Sequence, residues 1–153
     1  MQKILRMAFS LVAFLSLGLA SAPPTANASP HWCECVEYVK SRFGLTGAAG
    51  DAKDMGPFLQ RHGFRKVSAP QTGAVIIIQP AFFHSGSGAI YGHVGVIDGV
   101  ASVDKGRTWA IAVHGSNQLG SMFNGSNCSN VTLSAKSILK TSHLATYWAP
   151  PHK

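Results

Sequence analysis

The stretch Pro70-Gln71-Thr72-Gly73-Ala74-Val75-Ile76-Ile77-Ile78 is where the hydrophobic pattern of this chain changes period. Pro and Gly within four residues predict a turn. The β-branched run after them is too short and too continuous for a surface helix, so it predicts a buried strand over 74–78. On the N-terminal side the spacing is helical. Val36, Val39 and Phe43 recur three and four apart from Cys33 onward, Tyr38 broadens the stripe, and Gly44 supplies a stop. A second helix is predicted over 51–61, capped by Asp51 and ended by Gly63, with Met55, Phe58 and Leu59 buried. Pro57 implies a short first helix or a break at Gly56.

On the C-terminal side the pattern is extended. Strands are predicted over 92–100, 108–114 and 143–148, separated by loops at 80–91 and 115–130. The Ser85-Gly86-Ser87-Gly88 tract suits a lid or rim. Helices first and strands afterwards give an α+β domain with N-terminal helices on a small antiparallel sheet.

The first residues form a separate unit. Lys3 and Arg6 precede an apolar run from Met7 to Ala20, followed by small-residue cleavage sites at Ala20-Ser21-Ala22 and Ala26-Asn27-Ala28. Taking the second site, residues 1–28 are a signal peptide and 29–153 one domain. The run falls short of the roughly 20 residues that a membrane span needs, so stable membrane insertion is not expected after cleavage. The expected location is outside the cell, in the periplasm or at the wall. Lys and Arg number 13 against 6 Asp and Glu, for a net charge of +7. Removing Lys3 and Arg6 leaves a milder excess that favours anionic surfaces. The basic residues are scattered, which argues against a nucleic-acid partner. The sequence does not fix an oligomeric state.

Three cysteines remain, Cys33, Cys35 and Cys128, and an odd count leaves at least one unpaired within the chain. A Cys33–Cys35 bridge would close a strained ring. The economical assignment is a Cys33–Cys128 disulfide that pins the N-terminus and leaves Cys35 free; the alternative, Cys35–Cys128, would silence it. With His93 and His114 these cysteines supply nitrogen and sulfur donors, but neither a Cys-x-x-Cys nor a paired-His spacing appears. No metal or other cofactor is expected.

Cys35 lies at an apparent helix start, where the helix dipole and a nearby imidazole can lower a thiol pKa. His93 is flanked by Val94 and Val96 in an apolar strand. Singly, each has an ordinary structural explanation. Together, Cys35-Val36-Glu37-Tyr38-Val39, Pro70-Gln71-Thr72-Gly73-Ala74-Val75-Ile76 and Tyr91-Gly92-His93-Val94-Gly95-Val96-Ile97 resemble, in order and separation, the CHAP family of cysteine amidohydrolases and peptidases in the papain-like group.

The resemblance implies that Cys35 is the nucleophile and His93 its general base. It also implies a third residue that orients the imidazole, from a Glu-x-Asn-like segment on the next strand. Here that segment reads His114-Gly115-Ser116-Asn117, so Asn117 matches and Gly115 stands where the acid would be. His114 is the alternative, with Asp98 in reserve. Tyr91 and Trp32 are candidates for a substrate groove; Tyr38 and Trp109 are more readily read as packing residues. The implied substrate is peptidoglycan or its stem peptides. Two other readings stay open, a cysteine amidase on a non-wall amide and a non-catalytic, disulfide-stabilised wall protein.

Overall fold

The computed structural model describes residues 33–116 and 132–152. The proposed signal peptide, Trp32, Asn117 and Cys128 lie outside them. The described chain is α+β, with helices α1 (Cys35–Phe43), α2 (Met55–Arg61) and α3 (Gly88–Tyr91). Its six strands are β1 (Arg65–Val67), β2 (Val75–Ile78), β3 (His93–Val103), β4 (Thr108–Gly115), β5 (Thr132–Leu139) and β6 (Ala145–Ala149). They form one sheet in the order β1-β6-β2-β3-β4-β5, every pair antiparallel.

The β-branched run becomes β2 because all four of its side chains can be buried there. It lies inside the sheet, between β6 and β3. Val75 and Ile77 pack with the helices, and Ile76 and Ile78 point into a second apolar cluster on the opposite face. The helical face of the core gathers Val39 from α1, Met55, Phe58 and Leu59 from α2, and Val94 and Val96 from β3.

Helix α1 starts two residues later than the apolar pattern suggests, at Cys35, with Glu34 in extended geometry before it. Gly44 ends it in the left-handed region (φ 66°), and the Leu45 N–H closes back on the Lys40 carbonyl at 2.8 Å. This 6→1 closure satisfies a carbonyl at the helix terminus and favours glycine at the turn. The predicted 51–61 helix is a 3₁₀ turn over Ala52–Asp54 running into α2, so Pro57 falls in a first turn, where its missing N–H is harmless. Gly56 permits close docking, because a Cβ there would lie 2.9 Å from the Trp148 ring.

Two strands were not expected from the sequence, β1 and β5, and both lie at sheet edges. The predicted loop 80–91 also contains a 3₁₀ turn (Pro80–Phe82) and α3. Among the described residues no helix is long and apolar enough to cross a membrane.

Candidate active site

Cys35 is the first residue of α1 and His93 the first of β3, and both line one cavity of about 640 Å³. Packing of α1 across the start of β3 brings them together. The backbone N–H groups of Val94 and Val36 both donate to the Cys35 sulfur. The first ties the helix start to the residue following His93. The second belongs to the first turn of α1, where backbone N–H groups have no intrahelical acceptor.

These donors act against a larger opposing effect. Burial pushes the Cys35 thiol up from 9.0 to about 11, and the charges of Glu34 and Glu37 push in the same direction. The helix-start N–H lowers this pKa in the expected direction, but burial outweighs it and the net shift is upward. A sulfur removed from water disfavours its anion more than two N–H donors favour it. The resting thiol is protonated.

His93 is buried and pairs across the ladder with Ile78. The ring of Phe83 stands edge-on to it, with centroids 6.5 Å apart. Gly92, just before His93, has φ 72°, and a Cβ there would lie 2.5 Å from the Ile78 carbonyl oxygen. Glycine is thus required where the chain turns into β3. Gly95 is constrained similarly, since a Cβ there would run into Val113 and the His114 carbonyl.

The other expected residues divide. Tyr91 lines the cavity, as do Ser85, Gly86, Ser87 and Gly88, so the Ser/Gly tract is part of its rim. Tyr38 is buried in the core, and Trp109 lies beneath the Lys140 ammonium, 3.9 Å from its ring centroid. His114 is not among the cavity-lining residues; its Nδ1 lies 3.9 Å from Asp98 Oδ1. Asp98 is the extra residue of a β-bulge between Ile97 and Gly99, in the middle of β3.

Asn117 and Trp32 lie outside the described residues. Of the cysteines, Cys35 is free, and Cys128 also lies outside the described residues. The hydroxyl of Ser116 donates to the Cys33 carbonyl, fastening the end of β4 to the segment before α1.

Sequence reasoning passed over the cavity's charge. Glu34, Glu37, Asp51 and Lys136 all line it. Glu34 and Glu37 flank Cys35 in the sequence, a signal that attention to the nucleophile alone misses. Lys136 comes from the edge strand β5, and partial burial lowers its pKa. Among the described residues no three His, Cys, Asp or Glu side chains converge as metal ligands.

A family model described as "CHAP domain" matches residues 24–129. No curated protein matches the chain. Among solved structures, an N-acetylmuramoyl-L-alanine amidase from Staphylococcus aureus is similar in fold, with a TM-score of 0.50 and 19% sequence identity. The match covers 83% of this chain and 33% of the amidase chain, so this protein spans about a third of that neighbour's length.

Proposed function

The chain belongs to the CHAP-domain family, and from that premise we propose that it is an exported cysteine amidohydrolase that cuts amide bonds of peptidoglycan. The observation that carries this reading is the shared cavity, with a free thiol at a helix start and an imidazole at a strand start. In this reading residues 1–28 are a removable leader and 29–153 the hydrolase domain. A Cys33–Cys128 bridge pins the segment before α1.

The chemistry starts from a protonated thiol. His93 takes the Cys35 proton as the sulfur attacks the amide carbonyl, so the S–C bond forms without a standing thiolate. Backbone N–H groups at the start of α1, including that of Cys35, stabilise the developing oxyanion. The imidazolium then protonates the departing amine, leaving a thioacyl-enzyme. Water, deprotonated by His93, releases the acyl group and restores the thiol.

Asn117 is the proposed third residue, its amide oxygen accepting from the imidazole N–H. Asn117 is chosen because it follows two residues after Gly115, the last residue of β4, in the sequence. His114 is engaged with Asp98 instead. The free, cavity-lining Cys35 favours an enzyme over a purely structural wall protein.

The test is product analysis on purified peptidoglycan. Mass spectrometry of digests should show fragments with new amino and carboxyl ends from hydrolysed amides, absent with Cys35→Ala. Intact walls together with turnover of a non-wall amide would reassign the substrate.

A further inference from the structure

Lys53 lies outside the cavity lining, yet it is bonded to the turn that forms one side of it. Its Nζ donates to the Ile90 carbonyl at 3.1 Å and lies 3.6 Å from Asp51 Oδ2, while Gln79 Nε2 donates to the Lys53 carbonyl at 3.4 Å. Ile90 belongs to the last turn of α3, whose terminal carbonyls have no intrahelical partner. A lysine ammonium is a suitable partner for such a carbonyl. The Lys53 backbone is also packed against the same turn, because a Cβ on Gly92 would lie 3.3 Å from its nitrogen and 3.2 Å from its own Cβ.

The braced turn is unusual in what it shows to solvent. Ile90 is 59% and Tyr91 50% exposed, two neighbouring large apolar side chains beside a cavity that Tyr91 itself lines. Adjacent exposed apolar groups at the mouth of a pocket mark a binding surface better than scattered ones do. Behind them Gly88 lies against Phe83, where a Cβ would lie 2.8 Å from the ring. The ladder pairing of His93 with Ile78 does not involve Lys53.

We propose that Lys53 is a positioning residue that holds the Gly88–Tyr91 turn as a fixed wall for an apolar or ring-bearing part of the substrate next to the scissile amide. This rests on the hydrolase reading. Releasing the Ile90 carbonyl should loosen the wall while leaving the thiol and imidazole in place, so binding suffers more than chemistry.

The test uses the full chain and soluble peptidoglycan fragments, with Lys53→Met, Lys53→Arg, Tyr91→Ala and the double variant Lys53→Met/Tyr91→Ala. Lys53→Met should raise KM about three- to tenfold with kcat within about twofold of the parent, and Lys53→Arg should restore most of the loss. Because Lys53 acts through the wall, the double variant should be no worse than Tyr91→Ala alone. An unchanged KM for Lys53→Met, or losses that multiply in the double variant, would overturn the proposal. Cys35→Ala serves as the separate control. If the parent leaves the fragments uncut the hydrolase reading fails, and if Cys35→Ala still cuts them the cysteine mechanism fails; if Cys35→Ala is inactive while Lys53→Met matches the parent, only the wall proposal fails.

Discussion

The backbone N–H of Val94 donates to the sulfur of Cys35, so the candidate nucleophile is bonded to the residue that follows the candidate base. One hydrogen bond therefore joins the start of α1 to the start of β3. That bond favours the thiolate, but burial of the sulfur outweighs it and leaves the thiol a poor acid despite its position at a helix start.

The first prediction concerns that thiol. With the pKa held at about 11, alkylation of native Cys35 by iodoacetamide should climb between pH 9 and 11, without a plateau near neutrality. The linkage has a definite sign. The folded thiol keeps its proton above the ordinary value of 9.0, so its contribution to stability is complete below pH 9 and lost as pH rises through 11. A rate plateau below pH 8 would show a preformed thiolate instead.

Glu34 and Glu37 both raise the thiol pKa by charge. Replacing both by Gln should lower it and increase alkylation at pH 8 by about two- to threefold, since carboxylates in contact with solvent act through a screened field. The gain should shrink at high salt. An alkylation rate that does not change would place the whole effect in burial.

Gly92 combines a positive φ with a backbone carbonyl 2.5 Å from where a Cβ would lie. Gly92→Ala should destabilise the fold by about 2–4 kcal/mol and reduce activity at least tenfold by displacing the start of β3. Thermal unfolding and wall digestion measure the two effects. An unaltered melting temperature would mean that β3 can begin in another geometry.

Much of this arrangement was legible in the sequence where side-chain pattern and burial agree. Ala74–Ile78 reads as a buried strand because both faces of β2 are covered. Strand β5 was missed because its pattern is inverted: Leu133 is 52% exposed and Ser134 only 8%, so no amphipathic alternation appears. Strand β1 is three residues with two exposed charges, held by its ladder with β6. At the site, sequence order paired Cys35 with His93. It could not weigh burial against the helix dipole, and simple alternation along β3 does not anticipate the bulge that sets Asp98 against His114. Lys53, Asp51 and Lys136 reach the site through contacts between distant segments, which no local pattern reports, whereas Glu34 and Glu37 stand beside Cys35 in the sequence.

The central claim is that Cys35 attacks the amide with His93 as its base. Its most direct measurement is the rate at which folded Cys35→Ala releases soluble fragments from purified peptidoglycan, beside the parent protein. The account predicts a fall of at least about a thousandfold, to the level of buffer alone, with the melting temperature nearly unchanged. Release at the parental rate would contradict it.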